Sequence, residues 1–121
     1  MGKMILLIED DLDLQRIYSS KLQLSGFDVK LAGDAMQGYT IAKETKPNIV
    51  LLDVMLPGQM NGFDLLKRLK EDDHLKSIPV IVLTNLDTEK QEALKVGAVA
   101  YIIKANTNLD ELVAKVKLFI R

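Results

Sequence analysis

The chain has 121 residues, no cysteine and a single histidine, and its 16 basic and 17 acidic side chains give a formal net charge of −1. This length fits one domain, the absence of thiols excludes disulfides and cysteine-bound metals, and the balanced charge predicts no direct binding of nucleic acid or a membrane surface. Since no segment approaches membrane length and the N-terminus lacks a signal-peptide pattern, we expect a soluble cytoplasmic protein.

Short apolar runs recur along the chain and predict five strands. In chain order these are Met4–Ile8, Phe27–Leu31, Ile49–Leu52, Val80–Leu83 and Tyr101–Ile103. The second run alternates apolar and polar residues, whereas the other four are apolar at successive positions. Successive apolar residues are typical of strands that are covered on both faces.

Helical spacing between and after these runs predicts five helices. Their defining positions are Leu14, Ile17, Tyr18 and Leu22 in the first; Asp34, Ala35, Tyr39 and Ala42 in the second; Phe63, Leu65, Leu66 and Leu69 in the third; Thr88 and Gln91 in the fourth; and Asn108, Glu111, Leu112, Val113, Val116 and Ile120 in the fifth. Asp34 can cap the second helix, and the fourth and fifth helices begin with pairs that have the form of a capping box. Gly26, Pro47 and Gly97 mark helix ends.

The strands and helices alternate as β-α five times over, which predicts an α/β fold. Such an order favours a doubly wound five-stranded parallel sheet with helices on both faces, in strand order 2-1-3-4-5, as in a flavodoxin-like three-layer sandwich. A closed eight-fold barrel would need about twice this length. We find no linker or low-complexity segment, so residues 1–121 are predicted to form a single domain.

Polar side chains follow the strands that this topology places side by side. Glu9 and Asp10 end the first strand and Asp53 ends the third, so their carboxylates should meet where the strand order reverses and ligands bind. Thr84 and Lys104 end the fourth and fifth strands at the same edge. Clustered carboxylates repel one another unless a cation intervenes, and Mg²⁺ prefers such oxygen ligands together with a phosphate. The set therefore favours a magnesium site at which a carboxylate attacks phosphorus.

Four segments, in this order, resemble those of the response-regulator receiver domains of two-component signalling. "LLIEDD" is similar to the acidic pair after the first strand, and "IVLLDVMLPG" to the phosphoacceptor strand and its loop. "VIVLTN" resembles the strand that ends in the switch hydroxyl, and "GAVAYIIKA" the strand with an aromatic residue three before the lysine. The resemblance covers Lys3 to Arg121 and implies the fold that the periodicity predicts.

The resemblance also implies a role for the acidic residues. Asp53 would be the phosphorylated aspartate and a ligand of Mg²⁺. Asp10 would bind the metal directly, and Glu9 directly or through a water. Met55 would contribute its backbone carbonyl.

Three further residues have implied roles in the switch. Thr84 would bond the phosphoryl group after transfer, Lys104 would pair first with the aspartate and then with a phosphoryl oxygen, and Tyr101 would swing between outward and inward rotamers. The face of the fourth helix, fifth strand and fifth helix would then change for an effector or output domain. The donor would be a sensor histidine kinase or a phosphotransfer protein. The chain would catalyse only its own phosphorylation and slow dephosphorylation, and would not be an enzyme.

Two features depart from the family pattern, and a third bears on the lifetime of the phosphoryl group. Ala105 stands where the family usually has a proline joined by a cis peptide, and the sequence leaves open whether the Lys104–Ala105 bond is cis or trans. The loop from Pro57 to Gly62 carries one extra residue. Met55 and Leu86 are apolar and cannot orient an attacking water, which predicts slow self-dephosphorylation.

The same residues allow other interpretations of the function. A receiver-like interaction scaffold that is never phosphorylated remains the alternative function. A flavodoxin-like electron carrier would need a phosphate loop after the first strand, and an aspartyl phosphatase would need a second acid at Val54 or Met55. Neither feature is present in the sequence.

Two polar residues near these segments have simpler interpretations. Asp11 is interpreted as a helix cap, and we expect no metal-binding or phosphodonor role for His74. The sequence shows no output domain, and it leaves open a phosphorylation-dependent homodimer.

Overall fold

Five strands and five α-helices alternate along residues 2–121, the part of the chain that the computed structural model describes. The elements are β1 (Met4–Ile8), α1 (Leu12–Leu24), β2 (Asp28–Ala32), α2 (Ala35–Thr45), β3 (Ile49–Leu52), α3 (Gly62–Glu71), β4 (Val80–Thr84), α4 (Lys90–Val96), β5 (Ala100–Ile103) and α5 (Leu109–Phe119). A short 3₁₀ turn, Lys104–Asn106, follows β5. The predicted order is confirmed.

The strands form one parallel sheet in the order β2-β1-β3-β4-β5, as predicted. Its register brings the carboxyl ends of the strands to one edge. Ile8 at the end of β1 pairs with Leu52 at the end of β3, and Thr84 at the end of β4 pairs with Ile103 at the end of β5. Residues that follow these pairs are therefore neighbours across the edge.

Both faces of the sheet are buried, each under its own group of helices. In β1, Leu6 and Ile8 belong to the apolar cluster that includes residues of α2 and α3, whereas Ile5 and Leu7 belong to the cluster that includes residues of α1 and α5. Since successive side chains of a strand point to opposite faces, a strand buried on both must be apolar throughout. This explains the unbroken apolar runs. The part of the chain described here contains no helix with the length and apolarity to cross a membrane.

Most predicted helix caps are present. Asp11 and Asp34 accept hydrogen bonds from the backbone of the first turns of α1 and α2, and Asn108 with Glu111 forms the predicted capping box of α5. A capping box of Asn61 with Asp64 that we did not predict begins α3. These caps satisfy backbone N–H groups that have no partner within the helix.

The predicted capping box of α4 is wrong. The helix begins at Lys90, its N-cap is Glu89, and no side chain caps it. Thr88 lies outside the helix because the preceding loop is held against β5, where the Tyr101 hydroxyl donates to the carbonyl of Leu86. A tertiary contact thus overrides the local signal.

The predicted inner face of α1 is also partly wrong. Ile17 is 48% exposed, whereas Gln15 and Ser19 are buried beside Tyr18. Ile120 lies one residue beyond α5, at its C-cap, and packs against the core. β1 and β3 have the predicted boundaries, β4 and β5 are each one residue longer at one end, and β2 is shifted by one residue at both ends.

Gly38 permits the close packing of α2 on β1. A β-carbon at this position would lie 2.6 Å from Cδ1 of Ile8, which is fully buried. We predict that Gly38→Ala lowers the free energy of unfolding by about 1–2 kcal/mol, because overpacking outweighs the gain in helix propensity. Urea denaturation measures this loss. In an Ile8→Val background, which removes that terminal methyl group, the same substitution should cost little; an equal cost in both backgrounds would contradict the clash.

Candidate functional site

The backbone places Glu9 and Asp53 side by side at the carboxyl edge of the sheet. Asp53 N–H donates to the carbonyl of Ile8 at 3.1 Å, and Glu9 N–H donates to the carbonyl of Ala32 at 2.9 Å. Both residues therefore continue the ladder of hydrogen bonds one step beyond their strands. Their side chains leave the sheet where the order of strands reverses, which is the usual ligand crevice of open α/β sheets.

Three carboxylates meet at this crevice, as the sequence predicted. Oxygen atoms of Glu9, Asp10 and Asp53 lie within 4.8 Å of one another. Asp10 is exposed, whereas Glu9 and Asp53 are only 2% and 6% exposed. Buried carboxylates are costly unless they are paired and hydrogen-bonded.

Lys104 supplies that pairing. Its Nζ lies 2.7 Å from Oδ2 of Asp53 and also donates to Oε1 of Glu9, and its side chain is 8% exposed. Burial raises the pKa of the Glu9 carboxyl, an effect that the bond to Lys104 opposes. Burial lowers the pKa of Lys104, but its hydrogen bonds to Asp53 and Glu9 outweigh this and leave the pKa above its ordinary value. The ammonium group is therefore charged at neutral pH.

Backbone groups hold the other oxygen of each buried carboxylate. Met55 N–H donates to Oδ1 of Asp53 at 2.8 Å, and Asp11 N–H donates to Oε2 of Glu9 at 3.1 Å. With Lys104, every oxygen of these two carboxylates has a donor. Charge-assisted hydrogen bonds of this kind fix the rotamers of both side chains.

Thr84 and Tyr101 both contact the loop after β4. Thr84 is fully buried, and its Oγ1 accepts a hydrogen bond from Leu86 N–H at 3.3 Å. The hydroxyl of Tyr101 donates to the carbonyl of the same leucine. The two predicted switch residues therefore hold one loop residue between them.

Gly62 allows α3 to approach the backbone that carries Asp53. A β-carbon at Gly62 would lie 2.3 Å from the carbonyl oxygen of Asp53 and 2.3 Å from Cα of Val54. Gly62 N–H instead donates to the carbonyl of Val54 at 3.2 Å. Contacts with backbone atoms cannot be relieved by a rotamer change, so a glycine is required here. The extra residue of the preceding loop does not disturb this contact.

Sequence reasoning missed Gln15. Its Nε2 donates to the carbonyl of Glu9 at 2.5 Å and lies 3.5 Å from the carbonyl of Ala32. This amide ties the turn that carries the acidic pair to the end of β2. The signal lay in the helical spacing, because Gln15 precedes the buried Tyr18 and Leu22 at intervals of one helix face. A polar residue at such a position needs buried partners.

The Lys104–Ala105 peptide is trans, which decides a point that the sequence left open. Lys104 still reaches both carboxylates, so the absence of the family's proline does not displace its ammonium group. The predicted residues Glu9, Asp10, Asp53, Met55, Thr84 and Lys104 lie at the carboxyl edge of the sheet, whereas Tyr101 lies within β5, opposite Val82. The role of each remains a prediction.

The model of the response regulator receiver domain matches residues 5–117 of this chain. The chain belongs to that family. Phosphorylation and Mg²⁺ binding are typical of it, and the resemblance inferred from the four sequence segments is confirmed.

Curated relatives are response regulators. The chain is 36% identical over 123 residues to the phosphate regulon transcriptional regulatory protein PhoB of Pseudomonas aeruginosa, and 34% identical over 119 residues to the DNA-binding dual master transcriptional regulator RpaA of Synechocystis. These alignments cover 100% and 97% of this chain but 53% and 48% of the relatives. The chain thus spans about half the length of the curated relatives that it matches.

Solved receiver domains share the whole fold. The activated N-terminal receiver domain of RstA from Klebsiella pneumoniae is 30% identical, with a TM-score of 0.89 and 98% of each chain covered. A response regulator from Chloroflexus aurantiacus is 26% identical, with a TM-score of 0.91 and 98% of each chain covered. The chemotaxis protein CheY4 of Vibrio cholerae, at 24% identity and a TM-score of 0.90 over 99% of this chain and 100% of its own, shows the fold alone.

Replacing Gln15 tests its contribution to the acidic turn. We predict that Gln15→Met lowers the free energy of unfolding by about 1–3 kcal/mol, because the buried carbonyl of Glu9 loses the side-chain donor and that of Ala32 keeps only Glu9 N–H. Ser19→Ala is the matched control, since Ser19 is buried on the same helix face but donates only to the local carbonyl of Arg16. Urea denaturation should show a clearly larger loss for Gln15→Met. Equal losses would mean that Gln15 only fills space.

Proposed function

We propose that this receiver domain is a phosphoacceptor switch in which Asp53 takes a phosphoryl group from the phosphohistidine of a sensor kinase or phosphotransfer protein. The observation that carries the proposal is the buried Asp53 carboxylate, which accepts hydrogen bonds from Lys104 and from the N–H of Met55 beside two further acids. These two donors orient the carboxylate at the carboxyl edge of the sheet, as a carboxylate nucleophile requires.

The donor set fits Mg²⁺. Three carboxylates face one ammonium group, so negative charge is in excess, and carboxylate oxygens are the ligands that a hard divalent cation prefers. Asp10, Glu9 and Asp53 would hold the ion, with the carbonyl of Met55. When bound, Mg²⁺ would neutralise charge on the oxygens of the phosphoryl group.

The transfer forms one bond, at Asp53, and breaks one bond in the donor. A carboxylate oxygen forms a bond to phosphorus while the bond from phosphorus to the donor's imidazole nitrogen breaks, and that nitrogen keeps the electron pair. The product is an acyl phosphate on Asp53. Lys104, already bonded to this carboxylate, is placed to follow the new charge onto a phosphoryl oxygen. The amide of Met55 holds the carboxylate plane during the approach.

The contact between Thr84 and Leu86 offers a route from the phosphoryl group to the surface. A rotation of the Thr84 side chain that lets its hydroxyl donate to a phosphoryl oxygen would weaken the hydrogen bond that Oγ1 accepts from Leu86 N–H. Since Tyr101 donates to the carbonyl of the same leucine, a shift of the loop changes the partner of the Tyr101 hydroxyl. The surface of α4, β5 and α5 would then differ between the two states. Differential contacts of this kind are what a ligand needs to shift a conformational equilibrium.

The relatives indicate the kind of output that the switch would control. The curated relatives include regulators that are named as DNA-binding and are about twice as long as this chain. We propose that the switch controls an effector or an output domain of that kind, through the α4-β5-α5 surface or through a phosphorylation-dependent dimer. The receiver domain itself, with its balanced charge, would not contact the nucleic acid.

Thermal unfolding tests the metal site. In magnesium-free buffer we predict that Asp10→Asn raises Tm by up to about 4 °C, because it removes one of the mutually repelling carboxylates without breaking the ion pairs of Lys104. Saturating Mg²⁺ should raise the Tm of the parent, as any ligand of the folded state does, and should raise that of Asp10→Asn much less. Asp13→Asn is the control, because Asp13 is an exposed acid paired with Arg16. Equal Mg²⁺ responses of all three proteins would contradict the site.

Intact mass spectrometry tests the phosphoacceptor. Incubation with acetyl phosphate and Mg²⁺ should add one phosphoryl group to the parent and to Asp13→Asn, and none to Asp53→Ala or to samples without metal. After removal of the donor, the phosphoryl group should persist well beyond seconds, because Met55 and Leu86 cannot orient a water. Failure with acetyl phosphate and with a phosphorylated histidine donor, in a protein that also ignores Mg²⁺, would instead favour an interaction scaffold.

A further inference from the structure

A hydrogen bond joins the two loops that carry Thr84 and Lys104. Ala105 N–H donates to Oδ1 of Asn85 at 2.9 Å. Asn85 directly follows Thr84, and Ala105 directly follows Lys104. The bond therefore lies just beyond Thr84 and Ile103, the last paired residues of β4 and β5. A proline at position 105 could not make this bond because it has no N–H group.

The bond completes the restraint of one peptide group. The carbonyl of Lys104 accepts a hydrogen bond from Thr107 N–H at 3.3 Å, which closes the 3₁₀ turn. The N–H of the same Lys104–Ala105 peptide is held by Asn85. Because a peptide group is planar, partners on its carbonyl and on its N–H fix the orientation of the whole unit. That unit carries the Cα from which the Lys104 side chain reaches Asp53 and Glu9.

We propose that Asn85 is a positioning residue for Lys104, and that its hydrogen bond to Ala105 supplies the loop restraint that a proline would otherwise provide. The proposal rests on the phosphoacceptor function for its kinetic consequence. Its structural consequence, a Lys104 ammonium group held between two carboxylates, stands without that function. Asn85 would also couple the loop of the switch hydroxyl to the loop of the active-site lysine, since its backbone belongs to one and its side chain binds the other.

Two measurements on Asn85→Ala test the restraint. Hydrogen exchange of the Ala105 amide, measured by NMR, should become about threefold to tenfold faster, because an exposed hydrogen bond is worth about 1 kcal/mol. The phosphorylation rate with acetyl phosphate at saturating Mg²⁺ should fall by a similar factor, since Lys104 is less well placed. Asn106→Ala is the matched control, because Asn106 is an exposed asparagine of the same 3₁₀ turn. It should leave both quantities unchanged.

An Ala105→Pro background shows whether Asn85 acts through this contact. Proline removes the donor, so Asn85→Ala should have no further effect on the phosphorylation rate there, although it slows the reaction in the parent. Equal slowing in both backgrounds would overturn the proposal, because Asn85 would then act on the phosphoryl donor directly. Unchanged amide exchange of Ala105 in Asn85→Ala would overturn it as well.

A readout without phosphorylation separates this proposal from the proposed function. The ¹⁵N-detected ammonium signal of Lys104 reports its bonds to Asp53 and Glu9, and Asn85→Ala should shift and broaden it while Asn106→Ala does not. If the parent takes up no phosphoryl group, the proposed function fails, and this signal still decides the role of Asn85. An ammonium signal that is identical in the parent and in Asn85→Ala would overturn the positioning role.

Discussion

The ion pairs of a buried lysine with two buried carboxylates are the interaction around which this edge of the sheet is organised. Lys104 lies between Asp53 and Glu9, each almost fully removed from solvent. Removing a charge from water is costly, and the ion pairs with Lys104 offset part of that cost for both acids. Within residues 2–121, the ion pairs of Lys104 involve Glu9 and Asp53 and not the exposed Asp10, the third carboxylate of the cluster.

The rest of the fold serves to keep these groups in place. Parallel register sets Glu9 next to Asp53, and helix α3 can approach the backbone after Asp53 only because Gly62 has no side chain. Gln15 bonds to the carbonyl of Glu9 from α1. Elements of the fold thus hold the Asp53 carboxylate, whereas Leu86 in the loop after β4 is hydrogen-bonded to the side chains of Thr84 and Tyr101. The proposed switch would require such a division between a fixed site and a loop with two arrangements.

Membership of the receiver family and the geometry of the crevice support the same chemistry by different routes. The family match covers most of the chain, and the geometry identifies which atoms are bonded before any phosphoryl group arrives. This chain departs from the family pattern after Lys104, where alanine replaces the usual proline. The N–H of Ala105 donates a hydrogen bond to Asn85. A proline would restrain the backbone by its ring but could not donate this bond, because it has no N–H group.

The sequence alone determined the order of the elements and the parallel sheet, because the apolar runs follow a local pattern. It also determined that Glu9, Asp10, Asp53, Thr84 and Lys104 share the carboxyl edge of the sheet, because these residues end the strands in that topology. It also predicted three helix caps correctly, since a cap involves residues only three positions apart. Only the tertiary structure decided that Gln15 is buried, that α4 begins after Thr88 and that the Lys104–Ala105 peptide is trans. The first two depend on contacts with residues distant in the chain, Ala32 for Gln15 and Tyr101 for the loop before α4, whereas the trans form is the one that a bond before a non-proline residue favours. Such contacts leave no periodic signal in the sequence, because nothing in the local spacing records which loop a side chain will meet.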